Sequence, residues 1–144
     1  MRVDDVMKDP ECCSADDSVR DCAQLMRREN IGFVPICNDA GEPIGTITDR
    51  DLALRVVAEG RSLDTKVDDV MTRGIVACRV GDDLDDAEQL MRDRRKSRVM
   101  VCDDAGKLVG VISLSDIAEV ESEESAGQTL RDIASRESHQ PSAS

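Results

Sequence analysis

The sequence predicts an α+β fold made of one β-α-β-β-α unit written twice, and three observations carry that prediction. The pentapeptide VDDVM stands at residues 3–7 and again at 67–71. An offset of about 65 residues also aligns AQLMR (23–27) with EQLMR (88–92), and VPICNDAGEPIGTITDRDLA (34–53) with VMVCDDAGKLVGVISLSDIA (99–118), which makes an internal repeat. Within each copy the hydrophobic period changes in the same order, from strand to helix to two strands to helix. Two copies are too few for a stacked solenoid, so a pseudo-symmetric pair is expected.

Taken in order, the first element of each copy is a short apolar strand around Cys12–Cys13 or Ile75–Cys78. Asp17-Ser18 and Asp82-Asp83 then offer N-cap chemistry. The spacing of Val19, Cys22, Ala23 and Met26, and of Leu84, Ala87 and Met91, predicts a helix with one buried stripe. Strands follow over Phe33–Cys37 and Arg98–Cys102, then the turns Asn38-Asp39-Ala40-Gly41 and Asp103-Asp104-Ala105-Gly106. Return strands are expected over Ile44–Thr48 and Leu108–Ser113. The closing helices should run from Asp49 to Ala58, stopped by Gly60, and from Leu114 to about Val120. This gives repeat 1 over 3–60, repeat 2 over 67–120, and a polar tail over 121–144 in which QTLRDIASRE can form a helix while the last residues are expected to be disordered.

Composition narrows the function. A chain of 144 residues with a formal charge of −12 repels nucleic acid and anionic lipid, so neither is an expected partner. No apolar run approaches the roughly 20 residues that span a bilayer, and Met1 is not followed by a signal-peptide core, so a cytoplasmic protein is expected. The six cysteines form no C-x-x-C pair and the one histidine, His139, lies in the tail, so no metal site is expected. They read as reduced core residues, with adjacent Cys12 and Cys13 as the opening for a thiol redox sensor. There is no Gly-rich phosphate loop and no histidine within the repeats to act as a base, which argues against an enzyme.

Thr48-x-x-Asp51 and Ser113-x-x-Asp116 have two readings. A hydroxyl at the N-cap with an acid three residues later is a capping box. The same carboxylate offers two acceptors that can hold both hydroxyls of a ribose beside a helix start that favours phosphate. Phosphate would need local cations in so acidic a chain: Arg50, and Arg95, Lys96 and Arg98 within RDRRKSR (92–98), a segment that also reads as a solvated helix end.

With VDDVM leading in, DAGxxxG at the hairpin and TDRD or SLSD opening the last helix, residues 3 to about 120 resemble a CBS domain pair, or Bateman module, of the small stand-alone bacterial or archaeal type. The resemblance implies a regulatory or sensor module that needs no cofactor for its fold and takes AMP, ADP, ATP or S-adenosylmethionine in the cleft between its repeats. It implies a ribose site at Thr48, Asp51, Ser113 and Asp116, with the two acids as the ribose contacts, and a base slot lined by Cys13, Ser14, Ala15, Gly32, Phe33, Val34 and Pro35 in repeat 1 and by Cys78, Arg79, Val80, Ser97, Val99 and Met100 in repeat 2. Gly32 would allow close backbone approach, and Phe33, the chain's one aromatic residue, suits either a purine or the core. Repeat 2 departs from the family pattern with Ser97 in place of the glycine and Arg98 after it, a position where the resemblance implies a phosphate contact. A homodimer through helix faces is also implied, with the regulated protein target left open. The competing reading is a ligand-independent interaction scaffold.

Overall fold

The computed structural model describes residues 1–120 and 129–135; the tail's expected disorder falls on 121–128 and 136–144, outside them. The chain divides into two compact units. Unit 2, residues 10–75 with 106–108, contains β1 (Cys13–Ser14), α1 (Val19–Glu29), β2 (Phe33–Cys37), β3 (Pro43–Thr48), α2 (Asp49–Leu52) and β4 (Thr72–Arg73). Unit 1, among the described residues 1–9, 76–105, 109–120 and 129–135, contains β5 (Ala77–Arg79), α3 (Leu84–Arg94), β6 (Arg98–Cys102), all but the first residue of β7 (Leu108–Ser113), and α4 (Leu114–Val120). A further helix, α5, covers residues 129–135, where the tail helix was expected.

In unit 2 the sheet order is β1-β2-β3-β4, with β1 parallel to β2 and the remaining pairs antiparallel. The unit 1 sheet runs β5-β6-β7, and Lys8 bridges Val111 in the antiparallel sense, where β4 stands in unit 2. The expected alternation is met. Val19, Cys22, Leu25 and Met26 of α1 pack with Val34, Ile36 and Ile47, while Leu84, Ala87 and Met91 of α3 pack with Val99, Val101 and Ile112. Each cluster removes branched side chains from water, the dominant favourable term in folding.

The lead-in pentapeptides do not pack on their own repeats. Val3, fully buried, joins the unit 1 core, and Val67, Val70 and Met71 join the unit 2 core. Each opens as a single 3-10 turn held by matching bonds. Val3 N–H donates to Asp82 O at 2.9 Å and Leu84 N–H to Met1 O at 2.9 Å; Val67 N–H donates to Asp17 O at 2.8 Å and Val19 N–H to Thr65 O at 2.8 Å.

Close packing of these segments explains two glycines. A Cβ on Gly45 would stand 2.7 Å from the Thr72 carbonyl oxygen and 2.9 Å from Met71 Sδ, whereas one on Gly110 would meet only the Met7 side chain, at Cγ 2.8 Å and at Sδ. A backbone carbonyl cannot move aside as a thioether can. Gly45→Ala is therefore expected to cost about 1–3 kcal/mol and Gly110→Ala less, read as shifts of the urea midpoint at constant slope.

Two expectations are corrected. The closing helix of repeat 1 is not uniformly α: after Leu52 it widens into a π turn over Ala53–Val57, with Ala58 N–H bonding Ala53 O at 2.9 Å, as the Arg55 guanidinium reaches across to Val70 O at 2.8 Å. It still ends at Gly60, φ 67°. Asp83 occupies the N-cap position of α3 but its side chain makes no cap bond, whereas Ser18 Oγ accepts from Asp21 N–H at 3.1 Å. Asp17 and Asp82 instead accept from Ser14 and Arg79 N–H, both at 2.9 Å, fixing the turn before each helix.

Candidate functional site

Both Ser/Thr-x-x-Asp segments form complete capping boxes. Asp51 N–H donates to Thr48 Oγ1 at 3.1 Å while Asp51 Oδ2 accepts from Thr48 N–H at 2.9 Å. The Ser113 hydroxyl accepts from Asp116 N–H at 3.1 Å, and Asp116 Oδ2 accepts from Ser113 N–H at 3.0 Å. The capping reading is therefore realised in each unit, and it engages one carboxylate oxygen of two.

The second oxygen faces a cation. Asp51 Oδ1 lies 3.9 Å from Arg55 Nη2, and Asp116 Oδ1 lies 3.5 Å from Lys8 Nζ. Arg55 comes from the π turn of its own repeat and also donates to Thr72 Oγ1 at 3.2 Å. Lys8 stands at the repeat position of Thr72, on the lead-in, while the position of Arg55 is Val120 in the second copy. The same charge thus reaches the two acids from different segments, the closing helix in one unit and the lead-in in the other. The acids are mostly shielded, with side-chain exposures of 16% and 11%, but the cations are open, at 48% and 70%, so a ligand can displace them at small cost.

Other residues reach the same end of each sheet. Phe33, half-buried, is the register partner of Thr48. Gly32 O accepts Asp49 N–H at 3.0 Å and Ser97 O accepts Leu114 N–H at 2.8 Å, tying the start of β2 and of β6 to the closing helices. The space above Gly32 is occupied by Asp49, whose Oδ2 would lie 2.7 Å from an added Cβ. Arg50 follows on the first turn of α2, and Arg98 is exposed at the start of β6. Arg95 and Lys96, both exposed, close α3: Arg95 is its left-handed cap at φ 55°, matching Asn30 at φ 54°, and Lys96 N–H donates to Met91 O at 2.9 Å.

The first strands do not come to this end. Cys13 pairs with Ile36 and Ser14 with Cys37, three and more residues along β2 from Phe33, or about 10 Å at ~3.3 Å per residue. Ala15 lies beyond Ser14, with its carbonyl on Asp68 N–H at 3.1 Å. In unit 1 the register is the same: Cys78 pairs with Val101, Arg79 with Cys102, and Val80 N–H bonds Cys102 O at 3.0 Å. Because first and second strands are parallel, the residues alongside Phe33 and Arg98 are those just before β1 and β5. Val34 and Val99 are spent on the cores, at 0% and 1% exposure, and Pro35 and Met100 are also buried. Arg79 lies 3.8 Å from Asp104. Asp49, Arg55 and Lys8 were missed; Arg55 had an i+4 signal toward Asp51, and Lys8 had none.

All six cysteines are free, and Cys12 alone is exposed. The Cys22 S–H bonds Cys13, which holds the Cys22 thiol protonated and draws the Cys13 pKa down, while burial pushes Cys78 up to about 11. Brief iodoacetamide at pH 8 should add one label per chain, on Cys12, with the other five reacting only on unfolding; intact mass and peptide mapping read the outcome. Among the described residues no group of three or more His, Cys, Asp or Glu side chains is placed to hold a metal, and no helix is long and apolar enough to cross a membrane.

A family model described as "CBS domain" matches residues 3–58 and 67–123. The CBS domain-containing protein YhcV of Bacillus subtilis is 36% identical over 127 residues, 88% of this chain and 89% of that protein. The CBS domain pair of protein MJ0100, solved in complex with 5'-methylthioadenosine and S-adenosyl-L-methionine, superposes with a TM-score of 0.73 at 25% identity, covering 83% of this chain and 98% of that one. CBSX2, solved in complex with AMP, superposes with a TM-score of 0.71 over 90% of this chain and 98% of its own; at 23% identity this likeness shows the fold.

Proposed function

This chain belongs to the CBS domain family, and from that premise we propose that it is a regulatory module for adenosine-containing ligands, which it grips through Asp51 and Asp116. The observation that carries the reading is the half-engaged carboxylate at each closing helix. Capping consumes Oδ2 and leaves Oδ1 only against an exposed cation, so a ribose hydroxyl can take that oxygen without unmaking the helix start. The two ligands bound by the MJ0100 pair share an adenosine portion, which supports a nucleoside rather than a phosphate as the common recognised part.

The flanking charge differs between units and sorts the ligands. Besides Lys8, unit 1 carries Arg95, Lys96 and Arg98 from the end of α3 to the start of β6, whereas unit 2 carries Arg50 and Arg55 on its closing helix. In a chain at −12 a phosphorylated ligand is favoured where cations cluster, so AMP, ADP or ATP suits unit 1 and a ligand without phosphate, such as S-adenosylmethionine, suits unit 2. Ligand binding then acts by stabilising the conformation that holds it best.

Thermal denaturation and calorimetry with AMP, ADP, ATP and S-adenosylmethionine test this. A ligand at 100 times its Kd should stabilise the chain by about 2.7 kcal/mol. No shift of Tm with any of the four at millimolar concentration would exclude the proposal.

A further inference from the structure

The cations that face the two acids are held in different ways. In unit 2 the Arg55 guanidinium is committed to the protein: Nη1 donates to Val70 O at 2.8 Å and to Thr72 Oγ1 at 3.2 Å, with Nη2 3.9 Å from Asp51 Oδ1. A ligand that takes Asp51 Oδ1 leaves the first two bonds in place. In unit 1 Lys8 is fixed at its root and free at its tip. Lys8 N–H donates to Val111 O at 2.9 Å and Val111 N–H to Lys8 O at 3.0 Å, so the backbone is paired to β7. The side chain is 70% exposed, and its ammonium has Asp116 Oδ1, at 3.5 Å, as its one ion-pair partner among the described residues. Strand pairing thus delivers a lysine to the acid, and a single displaceable contact holds it there.

Resting on the adenosine reading above, we propose that Lys8 is the residue by which unit 1 selects a phosphorylated nucleoside. A ribose hydroxyl that takes Asp116 Oδ1 deprives the ammonium of its partner, and a phosphate on the same ribose supplies a stronger one, because that hydrogen bond joins two full charges. The flexible four-carbon stem of lysine makes the swing while the backbone stays on β7. A neutral ligand breaks the Lys8 contact and returns nothing, so the exchange counts against adenosine and in favour of its phosphate esters. Unit 2 has no such exchange. Thr72 stands at the repeat position of Lys8, Arg55 is tied to the lead-in, and the Asp49 carboxylate lies over Gly32, a negative charge that repels phosphate where unit 1 has Leu114 and Ser97.

Calorimetry with AMP and with adenosine, on the full chain carrying Asp51→Asn to weaken unit 2, reads unit 1. Adding Lys8→Met should lower AMP affinity about tenfold, the loss of one charge-assisted bond, and raise adenosine affinity by up to about fivefold, because the hydroxyl no longer competes with an ammonium. Lys8→Arg should restore most of the AMP affinity. Changes of opposite sign separate selection from a damaged fold, which would weaken both ligands together. An AMP-to-adenosine affinity ratio that Lys8→Met leaves unchanged, whether both ligands weaken or neither does, overturns this inference alone if Asp116→Asn still weakens AMP. Binding of neither ligand by the unaltered chain overturns the adenosine reading and this inference with it.

Discussion

Replacing Val3 with alanine is expected to destabilise the unit that holds the second repeat, by about 2 kcal/mol, although residue 3 belongs in sequence to the first. Val3 is fully buried in a cluster with Leu84, Met91, Val99 and Ile112, and truncation removes two methyl groups from a site whose neighbours are held by strand pairing. Hydrogen exchange read residue by residue makes the prediction specific. Amides of β6 and β7 should lose protection in Val3→Ala, and those of β2 and β3 in Val67→Ala. If each substitution instead loosened the strands of its own repeat, the assignment of the lead-in segments to the two cores would be wrong.

That exchange was not legible in the sequence for a physical reason. The two pentapeptides are identical, so either fits the socket offered by either unit, and the choice is made by chain connectivity. Where the information is local, the sequence served well. Phe33–Cys37, Arg98–Cys102 and Leu108–Ser113 have the bounds that periodicity predicts, and α4 opens at Leu114 as its capping box predicts. The departures lie where a distant group intervenes: the π turn at Ala53–Val57, where Arg55 reaches the Val70 carbonyl, and β4, whose two residues have no strand pattern and pair only because Gly45 lets them approach. The candidate site divides in the same way. Both capping boxes are local motifs and could be read directly, whereas Lys8 meets Asp116 only through the fold. The parallel register sets Cys13–Ala15 and Cys78–Val80 away from the capping boxes, a long-range pairing that the local pattern of the first strand does not carry.

The largest functional effect is expected from Asp51→Asn and Asp116→Asn. A capping box needs one acceptor from this side chain, and asparagine supplies it: with its carbonyl oxygen on the Thr48 or Ser113 amide, the helix start survives and the stability cost should stay within about 1 kcal/mol. The atom then occupying the place of Oδ1 is an amide NH2, a donor where a ribose hydroxyl needs an acceptor. A mismatched buried donor costs roughly 1–3 kcal/mol, so ligand affinity at the altered unit should fall about 5- to 150-fold. Calorimetry separates the two roles. A side chain that serves the helix alone would leave adenosine-ligand affinity unchanged in the asparagine variants, whereas a ribose contact abolishes most of the binding heat while the ligand-free Tm moves little. Because Arg95, Lys96 and Arg98 belong to the unit of Asp116, the proposed preference predicts a larger Asp116→Asn loss for AMP and a larger Asp51→Asn loss for S-adenosylmethionine. Equal losses for both ligands in both variants would mean that the units do not discriminate by charge.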